Sequence, residues 1–485
     1  MKLTFAQKEN IGFQYVLDSL RPCSPYGVAL LRDLTPCHPQ DREALQRQLD
    51  NLGRILARGS QCPVLRQLLR SFMGLKMVRP TAQKCMDADL NAIELFELKR
   101  FLLHCQEMLP LFSEVTSDLT GIRLTDTEAA LNILDPDGHR VATFHIPDHL
   151  SPTLAQVRQE KRALEALIRL SPDPELLSRR SHLAGLEEVE EIGIHSQMSL
   201  ALRPHIPAIL SNMDAIAELD LTAEKARIAA QYGACAPVLT EHTLNLQNMI
   251  NPRILDLLQT QNKPFTPISI ALTPGATVIT GANMGGKSVA LKTIALNILL
   301  VHCGFFPFAQ SCHMPLFDGM HIISEDLESI DRGLSSFGGE MVRFNATVSE
   351  TAQGFHFLLL DEFARGTNPH EGAAIVRAVT QYLNEKNAIS VLATHYDHVA
   401  DVAKAHYQVA GLKDLDWTAL RQEIAGLPPQ DCADRIVQYM NYGLYPMDQQ
   451  PDCPRDALHI CSLLGMPPEI LAEAEKTVSQ PVNIY

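Results

Sequence analysis

The sequence predicts an α/β domain preceded by a mainly α-helical N-terminal region, and three observations carry that prediction. Before residue 264, apolar residues recur at three- and four-residue intervals, the period of amphipathic helices. After it, short apolar strand-like runs alternate with helical stretches, as in a layered α/β sheet. Between one such strand and one such helix lies a glycine-rich segment, residues 281–288. The 485 residues, 46% hydrophobic and 20% charged, rule out a collagen-like or disordered chain. They suffice for about two to four domains with buried cores. Forty-one Lys plus Arg against 56 Asp plus Glu leave a net charge of −15, which disfavours a protein that coats nucleic acid.

Taken in order, residues 39–57 carry Leu45, Leu49, Leu52, Ile55 and Leu56 at helical spacing behind a Pro-Gln-Asp start. Helical pattern continues to Leu103. Between about 110 and 152 the pattern changes. Residues 130–134 and 141–146 read as two short strands around an Asp135-Pro136-Asp137-Gly138 turn. Ser151 is placed as the N-cap of a helix that starts at Pro152 and runs to Leu170. A second long helix spans 207–231, with Ile209, Met213, Ile216, Leu219, Ala223 and Ala226 on one face. Strands follow at 268–272 and 277–280, then a helix from 289 to 300, a strand at 357–360, a helix at 372–383 and a strand at 389–393. The tail from about 426, rich in Pro and Asp, ends in a helix at 468–477.

Residues 293–308 are apolar but interrupted by Asn297 and His302, short of the roughly 20 residues that cross a bilayer, and read as a buried helix. No membrane association is expected. The 11 cysteines contain no Cys-x-x-Cys pair and read as reduced thiols of a cytoplasmic protein. Glu9 and Asp18 interrupt the stretch where an export signal needs an unbroken apolar run.

Gly281-Ala282-Asn283-Met284-Gly285-Gly286-Lys287-Ser288 fits the spacing of a phosphate-binding loop, and it stands after a strand and opens a helix. Glycines there let backbone N–H groups turn toward the phosphates of ATP, the helix N-terminus adds positive potential, and Lys287 neutralises phosphate charge. The Ser288 hydroxyl is expected to ligate Mg²⁺. Downstream, an apolar strand ends in Asp361 and Glu362. Asp361 would complete the Mg²⁺ shell, and Glu362 would polarise the attacking water as general base. His395, at the end of another apolar strand, would contact the γ-phosphate or fix that water. Gln310 is a further candidate sensor of phosphate or metal. Ser335 and Ser336, followed by Glu340, read as a helix start able to bind an anion.

The ordered set TGANMGGKS, AQ, SSFGGEM, LLLDEFARGTNPHEG and ATHY resembles the ATPase domain of the MutS family, ABC-type ATPases known for mismatch recognition. Weaker likeness extends to Ser24-Pro25-Tyr26-Gly27 of a helical core segment, to Ala217-Glu218-Leu219-Asp220 near the end of a lever helix, and to residues 463–470 after the ATPase. The resemblance implies a helical core domain over 1–110, a small β element with a reduced clamp-like segment over 111–206, and a lever helix with linker over 207–245. A P-loop ABC-type ATPase domain over 246–425 and a C-terminal helical tail over 426–485 complete it. It also implies a homodimer in which Ser335 and Ser336 of one subunit reach the γ-phosphate held by the other. Gly366, Thr367 and Asn368 match the family's loop after the strand acids.

Departures from the family bear on the client. The chain opens at the helical core, without counterparts of the mismatch-reading and connector domains. Residues 171–206 are too few for the long paired helices and clamp that close around DNA. Residues 101–200 carry 8 Lys plus Arg against 16 Asp plus Glu, where a DNA clamp should be basic. The first reading is a MutS-like ATPase with DNA as a possible but reduced client, and the acidity and the missing clamp favour the second reading over it. The second is an ATP-driven partner of a metabolic enzyme such as a cobalamin-dependent aminomutase. A third, a nucleotide-binding scaffold that does not hydrolyse, has no use for Glu362.

Overall fold

The structure, a computed structural model, describes residues 3–59, 62–171, 173–281, 286–324, 336–412, 415–424, 432, 435, 439, 441–447, 457–463 and 465–479. The chain forms two compact units, one of residues 1–20, 35–53 and 228–485 and one of residues 21–34 and 54–227. In chain order, α1 (Phe5–Asn10) and α2 (Phe13–Asp18) belong to the first unit and α3 (Pro25–Arg32) to the second. The unit boundary then falls within α4 (Arg42–Arg58). The second unit continues through α5 (Pro63–Phe72), α6 (Arg79–Asp87), α7 (Ala92–Val115), α8 (Glu128–Leu134), α9 (Pro152–Leu170), α10 (Pro174–Leu202) and most of α11 (Ile206–Tyr232).

Helical periodicity survives well in this all-α unit. All six residues of the predicted face of α11 are buried, and so are Leu45, Leu49 and Leu52 of α4 in the first unit and Ile55 in the second. Ser151 caps α9 by accepting the Leu154 N–H at 3.2 Å. Asp220, fully buried on α11, accepts hydrogen bonds from the Cys23 N–H (2.9 Å), the Ser24 N–H (2.7 Å) and the Ser24 hydroxyl (2.6 Å). Ser24 in turn caps α3 through the Gly27 N–H. A Cβ at Gly27 would lie 2.4 Å from Asp220 Oδ2, so the two short segments singled out in the sequence meet as one buried polar joint. Burial raises the Asp220 pKa, and the hydrogen bonds from Ser24 and Cys23 oppose that rise.

The strand pair predicted at 130–134 and 141–146 is not formed. Residues 128–134 are helix α8, whose Ala130, Leu131 and Leu134 are all buried on one helical face, an arrangement that strand alternation cannot give. The following Asp135 does not turn a hairpin. It is buried and held by the Lys99 ammonium at 2.9 Å and the Arg140 N–H at 2.8 Å. Val141 is half exposed, and among the described residues 141–146 pair with no strand. The segment 171–206, expected to be too short for long paired helices, supplies the 29-residue α10, which packs antiparallel on α9. Val157, Leu164 and Leu183 form the seam. Arg158 bridges Asp148, Glu187 and Glu191 at its edge.

The first unit continues with β1 (Val238–Thr240), β2 (Leu244–Met249), α12 (Pro252–Thr260), β3 (Ile268–Leu272), β4 (Gly275–Thr280), α13 (Lys287–His302), β5 (Ser311–Pro315) and β6 (Gly319–Ile323). Then come α14 (Ser336–Glu350), β7 (His356–Asp361), α15 (Pro369–Asn384), β8 (Ala388–Ala393), β9 (Ala405–Gly411), α16 (Trp417–Ile424) and β10 (Asn441–Pro446). Helices α17 (Ala457–Leu463) and α18 (Pro468–Ser479) follow. A four-stranded sheet has the order β1-β5-β2-β3, and a six-stranded sheet the order β10-β9-β4-β8-β7-β6. All neighbours in the larger sheet are parallel except β10 on β9. Its central strands β4 and β8 are buried at every residue, which explains their unbroken apolar runs. Residues 441–446, which fell in the expected helical tail, are thus an edge strand of this sheet. Helix α13 is buried along nearly its whole length, Asn297 and His302 included, as its apolar run foretold. Among the described residues no helix is long and apolar enough to cross a membrane.

Residues 1–20 and 35–53 belong to the same unit as the α/β elements. The Asn251 amide donates to the Ile11 carbonyl at 3.0 Å, and the Cys37 N–H donates to the His302 carbonyl at 2.7 Å. His302, with no exposed surface, accepts the Phe317 N–H at Nε2, so its Nδ1 carries the proton that reaches the Cys37 carbonyl. Burial lowers its pKa to about 4.

Candidate nucleotide site

Ligand crevices of open parallel sheets lie beyond the carboxyl ends of the strands. Here three neighbouring strands deliver the sequence-predicted residues there: β4 runs into Gly281, β8 into His395, and β7 ends on Asp361 and Glu362. The Thr394 N–H bonds the Ile279 carbonyl (3.1 Å) and the Glu362 N–H bonds the Ala393 carbonyl (3.0 Å), locking the three exits together. Gly286 caps α13 at φ 93°, a left-handed conformation glycine adopts without strain. Residues 282–285 of the loop, and Ser335, lie outside the described residues. Ser336 is the first residue of α14; its side chain is likewise outside the described atoms.

Lys287, 4% exposed, donates to the Gly281 carbonyl at 2.8 Å and stands 3.9 Å from Glu362 Oε1. Asp361 is hydrogen-bonded by Ser288, while its Oδ1 is buried without a hydrogen-bond partner. Burial raises the Asp361 pKa; the Ser288 hydrogen bond and the charges of Lys292 and Lys287 lower it, and Glu362 raises it further. A hydroxyl and a carboxylate with an unsatisfied oxygen suit a hard divalent cation that takes its other ligands from phosphate and water. Among the described residues no cluster of three or more His, Cys, Asp or Glu could hold a metal by itself.

Glu362 has φ 50° and Ala364 φ 62°, both in the left-handed region that non-glycine residues enter under constraint. The constraint is visible. Glu340, a buried residue of α14, accepts the Ala364 N–H at 3.0 Å, and the Tyr396 hydroxyl donates to the Ala364 carbonyl at 3.1 Å. Arg365 holds Glu362 Oε2 at 2.7 Å. His395 Nδ1 is buried without a partner, and burial keeps its pKa below the ordinary imidazole value.

A cavity of about 330 Å³ opens beside these groups, reaching from Lys287, Ser288 and Glu362 to an apolar end formed by Ile254, Leu258, Phe265 and Tyr442. A Cβ on Gly286 would meet the Tyr442 ring at 2.5 Å, so β10 lies directly over the start of α13. None of these four apolar residues was singled out in the sequence. Phe265 precedes a predicted strand and offered a weak signal. Tyr442 offered none. Gln310 is not among the groups lining the cavity; it is exposed, and its amide oxygen accepts from Asn248 Nδ2 at 2.6 Å.

A family model described as MutS domain V matches residues 277–480. The Endonuclease MutS2 of Pelotomaculum thermopropionicum is 27% identical over 85% of this chain and 59% of its own length. That of Symbiobacterium thermophilum is 29% identical over 59% of this chain and 35% of its own. A DNA mismatch repair protein MutS from Natronomonas pharaonis is 34% identical over 39% of this chain and 22% of its own. The chain therefore spans less than two thirds of the length of each of these relatives. The end of β4, helix α13, the acids of β7 and the β8 exit all lie inside residues 277–480, the part of this chain that is similar to MutS domain V.

Proposed function

We propose that this protein binds and hydrolyses ATP at a composite site shared by two copies of the chain, and uses the cycle to switch its helical arms. The observation that carries the reading is the convergence of Lys287, Ser288 and Glu362 on one cavity with an apolar end, with Asp361 hydrogen-bonded to Ser288. The adenine ring occupies that end, between Phe265 and Tyr442, and the phosphates lie at Lys287 and the start of α13. Mg²⁺, when bound, neutralises charge on the phosphates between Ser288 and Asp361. Glu362 takes the proton of the attacking water, Arg365 and the Glu340-anchored loop hold its carboxylate, and neutral His395 orients the water or the γ-phosphate. The phosphate loop residues 281–288 cradle the phosphate chain, and Ser335 and Ser336 of a second copy close it from the other side.

Glu362→Gln tests the reading: it should bind ATP as the wild type does and lose phosphate release. Wild-type turnover in that variant, or wild-type ATP affinity in Lys287→Ala, would overturn the assignment. DNA is the first client, because the matched relatives carry the names endonuclease and DNA mismatch repair protein. The acidic surface of the α9–α10 hairpin favours a protein client as the second reading. Pull-down with the Glu362→Gln chain and ATP separates the two. Nothing in the comparisons supports a metabolic enzyme as that protein.

A further inference from the structure

Helix α12 has one side on the nucleotide cavity and the other on neighbouring elements of the same compact unit. At about 100° per residue, Ile254 and Leu258 share one side and line the apolar end of the cavity, while Asp256 falls on the opposite side. There a single oxygen, Asp256 Oδ2, accepts two phenol hydroxyls, from Tyr15 of α2 at 2.6 Å and from Tyr232, the last residue of α11, at 2.7 Å. The Arg253 guanidinium donates to the Glu9 carbonyl of α1 at 2.6 Å. A second line of contacts starts from Asn297, a polar interruption in the apolar run of α13 with no exposed surface. Its amide donates to the carbonyls of Thr293 (2.9 Å) and Ile250 (3.2 Å), and its oxygen accepts the Phe308 N–H at 2.7 Å. Ile250 leads into α12, and Phe308 meets the Tyr232 ring edge-on with centroids 5.3 Å apart. The helix that opens at Lys287 is thus joined through Asn297, Phe308, Tyr232 and Asp256 to the helix that walls the apolar end.

We infer that Asp256 is a positioning residue for nucleotide binding: held by Tyr15 and Tyr232, it sets the wall of Ile254 and Leu258 at a fixed distance from Lys287, so that one ligand fills the apolar end and reaches the phosphate end together. The inference rests on the nucleotide reading above and adds to it groups that fix the span of the site without touching the ligand. Helix α12 needs such tethers. It has nine residues, too few to be stable alone in water, and Pro252 is its single buried residue, so packing of an apolar face does not hold it. Two hydroxyls on one carboxylate oxygen are charge-assisted bonds, the stronger kind. The bond to Asp256 raises the Tyr15 pKa, and burial together with the same partner raises that of Tyr232, so both phenols remain donors. A wall preset in this way does not have to be ordered when the ligand arrives, which favours binding. The buried Asn297 supplies the fixed end of the connection, since every polar atom of its side chain is engaged by backbone.

Calorimetry with ATP and with inorganic tripolyphosphate, which reaches only the phosphate end, tests the inference in Asp256→Ala, Asp256→Asn and Tyr232→Phe. Asp256→Ala should weaken ATP about tenfold, and Tyr232→Phe, which keeps the ring on Phe308 and removes one donor, about threefold, as expected for lost hydrogen bonds to a charged acceptor. Neither change should alter tripolyphosphate affinity. Asp256→Asn keeps an acceptor oxygen and should recover most of the ATP affinity. Without nucleotide, hydrogen exchange of the α12 amides should quicken in Asp256→Ala while that of α13 stays as in the wild type. Wild-type ATP affinity in Asp256→Ala, an equal loss for both probes, or unchanged exchange in α12 overturns the positioning role and leaves the nucleotide reading standing. A wild-type chain that binds neither probe overturns the nucleotide reading itself, and the positioning role with it.

Discussion

Glu340→Ala is expected to bind ATP normally and turn it over slowly. Glu340 is 3% exposed, and its carboxylate accepts the N–H of Ala364 at 3.0 Å. That bond holds a loop in which Glu362 and Ala364 both have positive φ. Removing the carboxylate leaves a buried N–H without its acceptor, and a hydrogen bond to a charged group contributes about 1.5–3 kcal/mol. If that energy appears wholly as misplacement of Glu362, kcat falls about 10- to 150-fold, at roughly 1.4 kcal/mol per decade. Phosphate release at saturating ATP measures the loss, and calorimetry checks that ATP affinity is retained. Glu340→Gln keeps an acceptor oxygen and should recover most of the turnover. A kcat within about twofold of wild type in a folded Glu340→Ala protein would refute the positioning argument.

Gly286→Ala should abolish nucleotide binding, since its Cβ meets the Tyr442 ring at 2.5 Å at a φ of 93°; retained affinity by calorimetry would count against the placement of β10. Asp220→Ala should destabilise the chain by about 3 kcal/mol, because three buried donors lose their acceptor while one costly buried carboxyl is removed; a loss under about 1 kcal/mol in urea would disprove the joint. His302 should stay neutral well below pH 6.5. Its folded pKa of about 4 lies under the unfolded value, so the stabilisation from keeping it neutral is complete above pH 6.5 and is lost as pH falls toward 4. Proton NMR of the imidazole checks this, and a titration near 6.5 would contradict it. Mixing Lys287→Ala with Ser336→Ala protein should restore about one working site per mixed dimer if the serines act in trans; no recovered phosphate release would argue against the shared site.

The elements around the candidate phosphate loop were legible because their pattern is local. A strand, a glycine turn and a lysine at the head of a helix occupy consecutive residues, and Asp361 and His395 each follow an apolar run that only a buried parallel strand sustains. The apolar end of the cavity was not legible. Phe265 and Tyr442 are brought together by β10 joining the edge of a sheet whose other strands lie far upstream. Residues 128–134 misled because Ala-Leu-Asn-Ile-Leu flanked by a turn suits a strand or a helix about equally, and packing on α7 decided for the helix.

By itself, then, the chain's order of residues determined the strand and helix on either side of the candidate loop, the acids at the end of β7, the caps of α3 and α9, and the buried face of α11, since each depends on neighbours one turn or one strand away. Tertiary structure alone decided three things: that Asp220 closes on Ser24 and Gly27, that Glu340 braces Ala364, and that a 29-residue helix fills the segment expected to be too short for a long pair. Those outcomes rest on contacts between residues distant in the chain, where periodicity carries no information and burial of polar groups must be satisfied by whatever partner the fold brings near.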